Sequence, residues 1–263
     1  MILNIAAYHF VEIAEPSALR EQLHARCEAL ALKGTVLVAG EGVNLFLAGE
    51  AQGIRAFLAE FRSDPRFAAI AVKYSESETV PFRRLRVKLK KEIITFRKFD
   101  LLPGRERAPS VAPKNLARWL DRGRDDAGRE IVLLDTRNDQ ETAHGSFANA
   151  LTLPIAKFTE LPEALEAHRD ALAGKTVVSF CTGGIRCEKA ALWMQNAGYE
   201  NVLQLEGGIL GYFENVGAAH YEGGCFVFDE RVALGADLKP AQGGAMSESV
   251  PFSLREKVAR SAG

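Results

Sequence analysis

The residues best suited to chemistry in this 263-residue chain form one short run, Cys181-Thr182-Gly183-Gly184-Ile185-Arg186, with a second cysteine, Cys187, directly behind it. The run follows the apolar stretch 176–180 and precedes a helical pattern over 186–197, so it reads as a strand-to-helix loop. Two glycines let successive backbone N–H groups turn toward one centre, and the helix N-terminus adds its positive end. A thiolate at the head of such a nest is stabilised, so the Cys181 pKa is expected to fall well below the ~8.5 of a free thiol, with Arg186 adding a fixed charge. The plainer reading is a buried structural cysteine beside an anion-sized loop. Cys187 is either a resolving partner for an oxidised Cys181 or a residue packed beneath the loop.

Other polar groups have weaker claims. Asp135 and Arg137 follow the apolar run 131–134, where a charge pair braces neighbouring loops, and Arg137 is equally suited to facing a substrate. Glu188 suits the dipole of the helix after the loop, and His144 reads as a surface histidine. Cys27 falls on an apolar helix face, and Cys225 lies in a short β-like run read as structural. Residues 83–98 hold Arg83, Arg84, Arg86, Lys88, Lys90, Lys91, Arg97 and Lys98 against one acid, Glu92. From Arg84 to Lys90 the even positions are basic while Leu85, Val87 and Leu89 are apolar. In a strand this makes a cationic face suited to a nucleic-acid backbone, or a solvated edge that deters pairing with another strand. The cysteines and histidines show no paired metal-ligand spacing, and no dinucleotide fingerprint or other cofactor signature is evident.

These groups need a scaffold. The composition, 47% apolar and 25% charged with net charge −1, is that of a soluble globular protein, so nucleic acid must be met by a local patch. The four cysteines, without an export signal, read as reduced cytoplasmic thiols, and no apolar run is long enough to span a membrane. Apolar stretches, with helices over 16–33 and 51–61, give the order β-α-β-β-α-β of a ferredoxin-like α+β domain at 1–97. Residues 98–122 read as a proline-rich linker and lead-in helix. From 123 to 232, strands at 131–134, 176–180 and 202–205 alternate with helices, which predicts an α/β domain on a parallel sheet. Residues 233–263 read as a mobile tail.

Asp135-Thr136-Arg137, Cys181 to Arg186, and Leu205-Glu206-Gly207-Gly208-Ile209 resemble the three landmarks of rhodanese-like domains. The resemblance implies a cysteine able to carry a persulfide, in the shorter loop of the sulfur-handling members. Further motifs stand in order: Lys33-Gly34-Thr35, Ala39-Gly40-Glu41-Gly42-Val43-Asn44, Pro81 to Ile93, Asp135 to Asp139, Phe180 to Ala190, and Cys225-Phe226-Val227-Phe228-Asp229. Together they resemble the bacterial tRNA uridine hydroxylases over nearly all of 5–232. That resemblance implies tRNA as partner, dioxygen as co-substrate and 5-hydroxyuridine at the wobble position as product. The Phe96-Arg97-Lys98-Phe99 segment departs from the family, and the cysteine-rich tail of longer relatives is lacking. Two other functions fit the residues themselves: a sulfurtransferase carrying a Cys181 persulfide, and a non-catalytic anion- or RNA-binding module. Oligomeric state is left open.

Overall fold

The computed structural model describes residues 1–98 and 100–241. The chain divides into two compact units, the first of them Met1–Ile94 with Val227–Val232, the second Thr95–Phe226 with Ala233–Leu238.

In the first unit, β1 (Ile2–Phe10), α1 (Pro16–Ala29), β2 (Lys33–Ala39), β3 (Gly42–Glu50), α2 (Ala51–Phe61), β4 (Val72–Ser77) and β5 (Leu85–Leu89) build one sheet in the order β4-β1-β3-β2-β5. The first four strands have the split βαβ arrangement, and β5 adds an edge strand parallel to β2. Strand alternation turns Val36, Val38, Val43, Leu45 and Leu47 onto the core, where Leu19, Leu23 and Cys27 of α1 and Ile54, Phe57 and Phe61 of α2 cover them. The fourth strand begins later than the apolar pattern suggests, because Pro65–Phe67 form a 3-10 turn capped by Asp64. The segment 227–232 packs with this unit. Glu230 N–H bonds Pro81 O at 3.1 Å, and Arg231 Nη1 bonds Ser75 Oγ at 2.6 Å.

The second unit opens at Thr95, ahead of the stretch read as a linker, and takes in all of that stretch. Ser110–Val111 form β6, pairing with the strand over 202–205, and Leu101, Ala108 and Val111 are buried. A two-residue strand has no periodicity to show, which is why composition misread it. There follow α3 (Pro113–Arg122), β7 (Ile131–Asp135), α4 (Asp139–Thr142), β8 (Gly145–Phe147), β9 (Leu151–Thr152), α5 (Leu161–Glu166), α6 (Arg169–Leu172), β10 (Thr176–Phe180), α7 (Ile185–Asn196), β11 (Val202–Leu205) and α8 (Gly208–Val216). The single helix expected over 161–172 is thus two short ones. The main sheet is all parallel, in the order β6-β11-β10-β7-β9. All five residues of central β10 are buried, as an apolar strand covered on both faces requires. β12 (Tyr221–Gly223), β13 (Cys225–Phe226) and β14 (Ala233–Leu234) close the unit. β14 pairs with β13, so residues 233–234 are not part of a mobile tail, and that expectation over 242–263 lies outside the described residues. Among the described residues no helix is long and apolar enough to cross a membrane.

Candidate active site

Central β10 delivers Cys181 to the carboxyl end of the parallel sheet, where sites form in open α/β folds. The next three residues turn the chain into α7, with Gly184 at the N-cap in the left-handed region (φ 102°). There the Gly184 N–H donates to the Cys181 sulfur at 3.2 Å. The loop is strapped to the start of α8: Ile209 N–H bonds Cys181 O at 2.9 Å, and Leu210 N–H bonds Thr182 O at 3.0 Å. This approach explains Gly208, at φ 61°. A Cβ there would lie 2.5 Å from Cys181 O and 2.7 Å from Gly184 N. Thr182 Oγ1 donates to Phe226 O at 3.3 Å, so β13 holds the loop as well.

Cys181 is almost wholly buried, and burial by itself pushes its thiol pKa up. The hydrogen bond from Cys187, the positive Arg186 and the amides of Arg186 and Gly184 outweigh that, bringing it down to about 6. Cys187 moves the opposite way, raised by burial and by donating to Cys181. Its sulfur lies 3.8 Å from Thr136 Oγ1, which also bonds Phe180 O. Ile185 N-terminates α7 while Gly183 completes the turn. Thus 181–187 form one continuous loop and first helical turn.

Arg186 is buried and grips Glu141 through two bonds of 2.6 and 2.7 Å, which keep it charged against burial. Glu141 is fixed in turn by a capping box at the start of α4, with Asn138 Oδ1 accepting from Glu141 N–H and Glu141 Oε2 accepting from Asn138 N–H, both at 3.2 Å. The sequence reading missed Glu141. Its signal was the Asn138-x-x-Glu141 spacing. Asp135 and Arg137 form a second pair with no exposed surface, 2.6 Å apart. Ser146 Oγ donates to Asp135 at 2.7 Å, and Arg137 Nη2 donates to Gly145 O at 2.7 Å. Arg137 Nη1 is buried without a hydrogen-bond partner among the described residues.

Three expectations change. His144 is half-buried rather than a surface group. Its ring lies 5.2 Å from that of Phe226, and burial and Arg137 push its pKa down. Glu188, read as serving the helix dipole, is buried and accepts from Gln204 at 3.0 Å while pairing with Arg107 at 3.1 Å. The basic face of β5 is less regular than strict alternation, since Leu89 is 48% exposed where the edge strand outruns the core. On that strand and its flanks Arg84, Lys90 and Lys91 are exposed and Arg86 half-buried, while Arg83 pairs with Glu230 at 2.9 Å. Lys88 is half-buried, its pKa lowered by burial and then by Lys90 and Arg84. A groove of about 460 Å³ is lined by Val87, Lys88, Leu89 and Lys90 on one side and by Ser17, Arg20 and Glu21 of α1 on the other. Glu92, the one acid of the run, is buried. Cys225 is buried with its thiol pushed up to about 12. Among the described residues no cluster of His, Cys, Asp or Glu is arranged to hold a metal ion.

Fold and site together define a rhodanese-like domain carried behind a smaller α+β domain. Residues 113–215 match the rhodanese-like domain, and residues 2–93 match the UPF0176 acylphosphatase-like domain. The chain is 65% identical over 240 residues to the tRNA uridine(34) hydroxylase of Xanthomonas euvesicatoria, covering 91% of this chain and 97% of that protein. It is 59% identical to the protein of that name from Xylella fastidiosa, covering 91% and 93%. A rhodanese-related protein from Thermoplasma volcanium shares 27% identity, covering 41% of this chain and 93% of that one, with a TM-score of 0.33. The chain belongs to the tRNA uridine(34) hydroxylase family.

Proposed function

We propose that this protein hydroxylates C5 of uridine 34 in tRNA, with dioxygen as co-substrate and Cys181 as the reactive residue. Family membership over more than nine-tenths of the chain carries this reading. The loop supports it at the level of chemistry: a thiol brought to about 6 is largely thiolate at neutral pH, and it meets the amides of Gly184 and Arg186 and the positive charge of Arg186. Arg84, Arg86, Lys88, Lys90 and Lys91, with Arg83 at the margin, are the proposed contacts to the RNA backbone. Asp135, Arg137 and Glu141 act through the loops they brace rather than on substrate. A tRNA substrate supports a cytoplasmic location for this activity.

Nucleoside mass spectrometry of tRNA tests the proposal. Cells lacking the protein should lose 5-hydroxyuridine or nucleosides built on it, and the wild-type gene should restore them while Cys181→Ser should not. Loss of a thiolated nucleoside instead would make the protein a sulfurtransferase.

A further inference from the structure

We propose that the groove between the start of α1 and β5 holds one unpaired nucleotide of the RNA substrate, with its phosphate against Arg20, Lys88 and Lys90 and its ribose and base against Leu89. The inference takes the identity of the RNA from the hydroxylase reading, and adds to it a subsite that reaches beyond the basic run of β5 onto α1.

The groove follows from strand alternation at a sheet edge. β5 is the last strand of its sheet and pairs on one side only, with β2. Val87 is buried in the core with Leu19 and Leu23 of α1, while Leu89, two residues on and on the same face, is 48% exposed. Lys88 and Lys90 alternate with them along the rim. Opposite stand the first two turns of α1, with Ser17 exposed and Arg20 half-buried, and no acidic residue in the first turn. Glu21 reaches Arg20 at 3.4 Å, but with Glu21 71% and Arg20 37% exposed, water screens that pair. Three cations and one carboxylate therefore line about 460 Å³ of open space, and Arg84 and Lys91 add charge on the same stretch. At Lys88 burial, and after it Lys90 and Arg84, disfavours protonation, so an anion placed here relieves a cost the protein carries without it.

Shape and apolar surface select among anions. A space within the range of about 300–1,000 Å³ takes a small ligand. It admits one nucleotide, whereas a base-paired helix would rest on the outer lysines and arginines alone. A bare phosphate or a carboxylate makes no use of Leu89, but a ribose and base do. Charged groove and apolar platform together are the means by which proteins hold single strands. Uridine 34 lies in a tRNA loop, so this substrate offers unpaired nucleotides.

The test compares a short single-stranded oligouridylate with a duplex RNA of equal phosphate number, over a salt series. Full-length wild type, Arg20→Gln, Arg20→Lys and Leu89→Ser are used, each first shown to be folded by urea unfolding. Wild type should prefer the single strand by about tenfold. Arg20→Gln should flatten the single-strand salt slope by about 0.7, one phosphate contact, and Arg20→Lys should restore it. Leu89→Ser should weaken single-strand binding by about fivefold with its slope unchanged, and leave duplex binding as it was. A wild type without preference, or folded Arg20→Gln and Leu89→Ser proteins that bind the single strand like wild type, would overturn the nucleotide subsite. Displacement of the oligouridylate by an oligoglutamate of equal charge at equal concentration would also overturn it, making the groove a seat for acidic peptides. Nucleoside mass spectrometry of tRNA reads the hydroxylase activity separately. Unaltered binding by the variants, with 5-hydroxyuridine lost when the gene is deleted, strikes the subsite alone. The expected binding losses, with 5-hydroxyuridine persisting after deletion, support the subsite and strike the hydroxylase reading.

Discussion

Cys27 on α1 and Cys181 above β10 are both almost completely removed from water, and they end up at opposite ends of thiol chemistry. At Cys27 burial acts alone and pushes the thiol up to about 12. At Cys181 a like degree of burial is overridden by the hydrogen bond from Cys187, by Arg186 and by two amides. The difference is the surroundings rather than the depth. Cys27 packs among leucines on a helix face, where it acts as a small apolar residue. Cys181 faces oriented dipoles and a guanidinium that folding has already fixed in place.

The largest effect should come from removing the sulfur that the site was built around. Cys181→Ser keeps the size but loses the thiolate, and tRNA hydroxylation should fall by roughly 10,000-fold or more, the scale on which removing a covalent catalyst acts. Cys27→Ser should leave turnover of the folded protein within about twofold, because surface and core residues away from a site act through stability. Comparing both variants by nucleoside mass spectrometry at matched folded concentration checks this. Retained activity in Cys181→Ser would reduce the two cysteines to one kind.

Next comes the support beneath the loop. Arg186→Gln leaves Glu141 buried without its counter-charge, which should destabilise the protein by about 3–5 kcal/mol. Urea unfolding measures that loss. In the fraction that remains folded, the Cys181 thiol should titrate at higher pH, since one of the groups lowering it is gone. A fully stable variant would mean that the buried pair does not hold the loop.

Thiol reactivity sharpens the contrast directly. A lowered thiol pKa means the thiolate persists above about 6 and is lost as the pH falls through that value, whereas the raised Cys27 thiol stays protonated over the working range. Lower basicity also lowers nucleophilicity, so the advantage of Cys181 at neutral pH should be roughly a hundredfold rather than the full ratio of thiolate fractions. Isotope-coded iodoacetamide followed over a pH series, with peptide mass spectrometry, gives both rates. Equal rates, or a Cys181 midpoint near that of a free thiol, would break the comparison.

What was readable in the sequence follows from how local each determinant is. The strand over 176–180, the helix over 51–61 and the Cys181 loop are set by neighbours in the chain: an unbroken apolar run, a 3.6-residue repeat, two glycines in a turn. Elements defined by distant partners were not readable. β6 exists because β11 offers it an edge, and β13 and β14 exist because they pair with each other while Phe226 O receives the Thr182 hydroxyl. Glu141 stands 45 residues from the arginine it holds, so only its local capping box was visible, and a capping box does not name a second partner. The half-burial of His144 has the same origin, since Phe226 and Arg137 come from elsewhere in the chain.

The smallest effect on the fold, and the one that sets the Cys181 site apart from the rest of the molecule, belongs to β5. Its charges differ from Arg186 in having partial or full access to water, and at Lys88 burial first and then the neighbouring positive charges of Lys90 and Arg84 disfavour protonation. Exposed charges act collectively and through counterions, with a log–log salt slope of about 0.7–0.9 per phosphate contact. Changing Arg84, Arg86 and Lys88 together to Gln should therefore flatten the salt dependence of tRNA affinity by about two to three units. Stability should move by under ~0.5 kcal/mol per residue, since the substitutions create no cavity and relieve like-charge crowding. The iodoacetamide midpoint of Cys181 should not move at all, because none of the groups that lower it lies on β5. Affinity measured at several salt concentrations for both proteins decides the matter. A folded triple variant with an unchanged slope would make the stripe a solvated sheet edge and send the search for the RNA surface elsewhere.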